Sequence, residues 1–146
     1  MYPDLQIIAE PGRYYATTSH TLAVNVYAKK SIKTSDGKMT HMYYVNDGVY
    51  GSFNSIIYDY QVPVPKVLKK SGFNNGAEFE SIVWGPTCDS MDKIAENILL
   101  PELEIDDWLY FDHMGSYTIS AASVFNGMDL PQMTYINKLS EDHDID

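Results

Sequence analysis

A single cysteine, Cys88, stands among 146 residues. One thiol cannot close an internal disulfide, so a fold held by packing in a reducing, cytoplasmic compartment is expected. Long hydrophobic runs are missing as well. No stretch approaches the roughly 20 apolar residues of a membrane span, and no charged-then-apolar leader opens the chain. A soluble protein with no membrane partner is expected. Positive charge is scarce: ten Lys and Arg face twenty Asp and Glu, for a formal net charge of −10. That balance argues against nucleic acid, whose phosphates demand a basic surface. It favours cationic partners such as amines only weakly, because part of it sits in the tail Glu141, Asp142, Asp144, Asp146, which reads as a solvated end. The four histidines show no metal-ligand spacing, and with Cys88 they make no zinc site. No Walker loop or dinucleotide fingerprint is present.

What the chain does have is apolar and aromatic. Hydrophobic content of 45% is that of one ordinary globular domain, and twelve tyrosines scattered among β-branched residues favour strands. Ile7 to Glu10 reads as a short buried strand of the parallel kind, stopped by Pro11-Gly12. Arg13 to Ser19 suits a brief helix. From Leu22 the pattern alternates, with Leu22, Val24 and Val26 on one face and Ala23, Asn25 and Tyr27 on the other. Asp36-Gly37 signals a two-residue hairpin leading into Met42–Val45. A short helix is expected within 52–60, an irregular stretch at 61–65, and an exposed loop over 66–80. Strands are expected at 79–84, 108–111 and 133–136. Helical turns are expected over 92–99 and 120–125. Several short strands with turns between them argue for a mainly β fold, a sandwich or barrel.

Four runs could carry chemistry. Glu10-Pro11-Gly12-Arg13 places a carboxylate at a strand end, then a glycine and a cationic fork able to hold a phosphate, or else a surface ion pair. Tyr44 to Phe53 combines glycines with tyrosines, as a ligand-facing backbone or two tight turns. Tyr58-Asp59-Tyr60 sets an acid between aromatics. In the stretch from Phe111 to Asn126, Tyr117 could serve a ligand oxygen or a backbone group. To these the run Trp84-Gly85-Pro86-Thr87-Cys88-Asp89 adds a thiol after a Gly-Pro turn, beside a carboxylate and ahead of a second acid, Asp92. That setting suits a reactive cysteine as well as a small buried hydrophobe.

In their order, Glu10 to Tyr15, Tyr43 to Asn54, Trp84 to Asp89 and Met114 to Asn126 resemble the carboxyl-terminal part of the eukaryotic ornithine decarboxylases. These are pyridoxal-phosphate decarboxylases built from a (β/α)8 barrel and a β-domain. The resemblance implies that residues 1–20 are the end of the barrel, its last strand and a short helix, and that residues 21–146 are the β-domain with an acidic tail. It implies pyridoxal 5'-phosphate as cofactor, with Glu10 pairing the pyridine nitrogen and Gly12, Arg13 and Tyr117 cradling the phosphate. Asp59 and Asp89 would hold the distal ammonium of ornithine. Cys88 would reach across a homodimer interface to guide protonation after CO2 leaves, and Tyr50 and Phe125 would belong to that interface. The lysine that binds the cofactor belongs to the family's barrel, and no lysine here stands in a matching motif. A fragment of a putrescine-forming enzyme, inactive by itself, is therefore expected. The alternatives are a non-catalytic regulator like the antizyme inhibitors, with antizyme as a partner, a decarboxylase of lysine, arginine or diaminopimelate, and a stand-alone protein-binding β-sandwich. Aspartate after the cysteine favours a substrate with one distal cation.

Overall fold

The computed structural model describes residues 4–68 and 76–136. The acidic tail and the middle of the 66–80 loop lie outside them. A short helix α1 (Arg13–Ala16) runs into a 3-10 turn (Thr17–Ser19), and the strands follow: β1 (Leu22–Lys33), β2 (Met39–Val45), β3 (Lys66–Val67), β4 (Glu78–Trp84), β5 (Lys93–Pro101) and β6 (Trp108–Phe111). A second helix, α2 (Ser55–Asp59), lies between β2 and β3. The six strands form one mixed sheet in the order β3-β6-β1-β2-β4-β5. Every neighbouring pair is antiparallel except β2 and β4, which run parallel.

The sheet curls because β1 serves two halves. Leu22–Asn25 pairs with β6, whereas Val26 to Lys33 pairs with β2, and within the second pairing the register skips Tyr27 between Val26 and Ala28. The extra residue is a bulge, which bends a strand and increases its twist. Alternation then buries Val24, Val26, Tyr43, Val45, Val83, Leu109 and Phe111 on the inner side. Phe53, from the loop after β2, packs edge-on against Phe111 at 4.8 Å, so that loop is anchored in the core. Residues 102–107 return across the inner side. There the Leu103 N–H donates to the Tyr43 hydroxyl at 3.0 Å, and Lys29 reaches Glu102 at 2.8 Å and Glu104 at 3.1 Å.

Several expectations change. Ile7 to Glu10 is not a buried strand. Residues 5–12 join no strand among the described residues, and Ile7 and Ile8 are 85% and 75% exposed. A strand needs a neighbour for its backbone groups, and none lies alongside. The Asp36-Gly37 hairpin forms with a three-residue loop, not two: the Thr34 N–H bonds to Lys38 O at 2.8 Å and Gly37 takes φ +87°. A turn capped by a left-handed glycine is the next commonest hairpin closure. The expected helical stretch 92–99 is not helical: residues 93–99 lie in β5, because the open edge of β4 supplies a ladder that a lone helical turn would lack. The expected exposed loop begins with β3, which pairs with β6. Residues 120–125 are not one helix but parts of two 3-10 turns. Residues 133–136 form no strand, and Tyr135 and Ile136 are exposed.

Candidate functional site

Because β2 and β4 run parallel, their chains leave the sheet at the same end. The loop after β2 carries Tyr50, and the loop after β4 carries Cys88 and Asp89. The two meet. The Tyr50 hydroxyl donates to Asp89 Oδ2, and the Met91 N–H donates to Asp89 Oδ1 at 2.9 Å. The electrostatics follow from this bond. A phenol that donates to a carboxylate resists losing its proton, so Tyr50 is pushed up to about 12. The Met91 N–H, then the Tyr50 hydroxyl, hold the Asp89 carboxyl below the usual range. On the other side of Tyr50, Phe125 lies ring to ring at 4.2 Å, and Ser123 donates its N–H to Tyr50 O at 2.8 Å. Cys88 is exposed beside this group.

A second group forms around α1. The Arg13 guanidinium pairs with the Asp59 carboxylate at the end of α2 and lies 4.8 Å from the centre of the Tyr117 ring. A Cβ on Gly12 would come within 3.3 Å of the Tyr117 hydroxyl, so the absent side chain is what leaves room for it. Tyr117 itself sits at φ +55°, an uncommon conformation for a bulky residue and a mark of a constrained loop. Asn54 joins the two groups. Its amide donates to Gly51 O at 2.7 Å, next to Tyr50, and to Thr118 O, next to Tyr117.

Gly12, Arg13, Asp59 and Tyr117 are thus brought together, and so are Tyr50, Asp89 and Phe125, with Cys88 adjoining. Asp59 and Asp89 do not share a partner: one faces Arg13, the other Tyr50. Glu10 lies on the exposed segment before α1 and bonds to neither group among the described residues. Asp47, which the sequence reading did not single out within the Tyr44 to Phe53 run, is buried. Its Oδ1 accepts the N–H groups of Gly48 at 2.7 Å and Ser52 at 2.9 Å, while Oδ2 has no partner. Burial pushes its carboxyl up. The signal available beforehand was Asp47 standing four residues ahead of Gly51, whose Cβ would collide with that carboxylate. Among the described residues no three His, Cys, Asp or Glu side chains are grouped to hold a metal ion. No helix among them is long and apolar enough to cross a membrane.

A curled mixed sheet whose parallel strands present a thiol, acids and tyrosines at one end defines a class. The chain belongs to the pyridoxal-dependent decarboxylases, as their C-terminal sheet domain: the model of that domain matches residues 13–115. The resemblance read from the sequence is borne out at this level. More particularly, the chain is similar to ornithine decarboxylase of Cricetulus griseus, 49% identical over 142 residues, covering 92% of this chain and 31% of that protein. It is as similar to antizyme inhibitor 2 of Xenopus laevis, 49% identical over 139 residues, covering 90% of this chain and 30% of that protein. Among solved structures it matches a lysine/ornithine decarboxylase from Vibrio vulnificus complexed with cadaverine, with TM-score 0.76 and 35% identity over 88% of this chain and 33% of that one. It also matches the Paramecium bursaria Chlorella virus arginine decarboxylase bound to agmatine, with TM-score 0.74 and 34% identity over 83% of this chain and 32% of that one. The chain spans about a third of the length of these relatives.

Proposed function

We propose that this chain forms the sheet-domain wall of an amino-acid decarboxylase site that converts ornithine to putrescine and CO2. A cofactor barrel and a second copy of the chain complete the site. The observation that carries the reading is the meeting of Tyr50, Asp89 and Phe125 beside the exposed Cys88. These residues hold a carboxylate ionised and oriented next to a thiol. A carboxylate in that state binds the distal ammonium of the substrate by a charge-assisted contact, and the thiol stands ready to move a proton.

The residues around α1 fit a phosphate-bearing cofactor. The missing Cβ of Gly12 leaves room beside the Tyr117 hydroxyl, and the Arg13 guanidinium lies near the same ring, which together offer donors suited to an anion. When bound, pyridoxal phosphate supplies an electron-accepting ring. Glu10, freely exposed here, would pair with its ring nitrogen. In this chain Arg13 and Asp59 neutralise each other. With the cofactor bound, Arg13 would hold the phosphate and Asp59 would be free to hold an ammonium. The two acids, with aspartate rather than glutamate after the thiol, suit a substrate with one distal cation. The assignment to ornithine, the homodimer and the cytoplasmic setting belong to this proposal.

A second reading, a non-catalytic regulator that engages antizyme, is favoured by the 49% identity to antizyme inhibitor 2. One experiment separates them. The chain is co-expressed with the barrel part of the Cricetulus griseus relative, and labelled CO2 release from ornithine, lysine and arginine is compared. Release from ornithine above the other two, absent with either part alone, supports the proposal. No release and no cofactor absorbance in the assembled pair would favour the regulator.

A further inference from the structure

One buried side chain lies between the exits of β2 and β4. Asp92, just before β5, has no exposed surface. Its Oδ1 accepts the Val49 N–H at 2.8 Å and its Oδ2 accepts the Thr87 N–H at 2.8 Å. Its backbone closes the second loop, with the Gly85 N–H donating to Asp92 O at 2.7 Å and the Asp92 N–H donating to Asp89 O at 3.0 Å. The carboxylate fits there because both exits are glycine: a Cβ on Gly48 or on Gly85 would come within 2.1 Å of Oδ1. The two bound N–H groups sit at the roots of the two loops, since Val49 precedes Tyr50 and Thr87 precedes Cys88 and Asp89. Asp47, the other buried acid nearby, braces only its own loop, through Gly48 and Ser52. Of these two buried acids, Asp92 is the one that bonds to both loops.

We propose that Asp92 is a positioning residue: each of its oxygens holds one loop, fixing their separation so that the Tyr50 hydroxyl meets the Asp89 carboxylate beside Cys88. The glycines at 48 and 85 are part of the device, because any larger residue would expel the carboxylate. A catalytic use for the positioned groups rests on the function proposed above, but the clamp is a property of this chain alone. Its test therefore needs no turnover, and failure of one idea leaves the other measurable.

The test follows ring resonances of Tyr50, identified by their loss in Tyr50→Phe, through an alkaline titration of the purified chain. With Asp89 as partner the Tyr50 phenol stays protonated well above the usual tyrosine value of about 10. Asp92→Asn keeps the shape but replaces one accepting oxygen with an amide that cannot accept. Tyr50 should then ionise about tenfold more readily, with the resonances of β1 and β6 unchanged. A folded Asp92→Asn chain whose Tyr50 titrates as in the parent would overturn the proposal. A second measurement needs no variant. Thr87 lies in a half-buried loop, so its amide owes its shelter to Asp92 and should exchange with solvent at least about tenfold more slowly than an open amide. Free exchange at Thr87 would also overturn the proposal.

Discussion

Alanine at position 115 should pull the α1 turn away from the loop that carries Tyr117. A Cβ on Gly115 would lie 1.8 Å from the carbonyl oxygen of Ala16 and 2.4 Å from Ser19 Oγ. Carbon and oxygen approach no closer than about 3.3 Å even in favourable C–H···O contacts, so the backbone must open by more than an ångström. Ser19 could rotate aside, but the Ala16 carbonyl is main chain and cannot. Laced across the same junction are the Gly115 N–H to Thr17 O bond at 3.0 Å, the Met114 N–H to His20 O bond at 3.0 Å, and the Thr17–Ser116 hydroxyl pair at 2.8 Å. Losing two backbone bonds at about 1 kcal/mol each, plus residual strain of about 1 kcal/mol, puts the cost near 3 kcal/mol. Urea unfolding of Gly115→Ala should show a midpoint lowered by that energy divided by the slope, with the slope itself unchanged. The same opening should move Arg13 off the Tyr117 ring, so any binding of pyridoxal phosphate to the chain should weaken. A variant within about 0.5 kcal/mol of the parent would refute the reasoning, because the turn would then not be held as described.

Two other side chains give clear expectations. His41 is buried against Phe79, with ring centres 4.9 Å apart, its Nδ1 shares a hydrogen bond with Ser31 Oγ at 2.8 Å, and its Nε2 has no partner. Burial, then the Lys29 charge, lowers its pKa, against the opposing pull of Glu102 and Glu104. The unfolded chain therefore takes up this proton first, and stability drains as pH falls below about 6.5 toward the folded value. His41→Phe should lose less Tm than the parent between pH ~7 and ~5, and equal losses would contradict the assignment. Tyr43→Phe keeps the ring but leaves the buried Leu103 N–H without its acceptor. It should cost about 1–3 kcal/mol in urea unfolding, and an unchanged midpoint would show that Leu103 finds another partner.

Where alternation and turn chemistry act locally, the residues announce the fold. Val24, Val26, Tyr43 and Val83 alternate with less buried neighbours, and Gly37 marks its turn, so β1, β2, β4 and β6 are readable. Residues 92–99 are not, because Ile94 and Ile98 also stand four apart, and only the open edge of β4 decides for a strand. Lys66–Val67 is a strand only because β6 lies beside it, and Ile7 to Glu10 fails to be one because nothing does. The candidate site divides in the same way. Residue types at Arg13, Tyr50, Asp59, Cys88, Asp89, Tyr117 and Phe125 carry the resemblance, yet the pairing of Asp59 with Arg13 and of Asp89 with Tyr50 comes from tertiary structure. Asp92 reads as one more acid in the chain. Its burial between two glycines depends on parallel strands more than thirty residues apart in sequence.

The central claim is that this sheet domain supplies the wall of an ornithine-decarboxylating site. Carboxyl-labelled ornithine, offered to the chain assembled with a cofactor barrel from its Cricetulus griseus relative, tests it most directly. The account predicts labelled CO2 together with putrescine, lost when Cys88 or Asp89 is replaced by alanine and absent from the chain alone. An assembled pair that binds pyridoxal phosphate yet releases no CO2 from ornithine would contradict it.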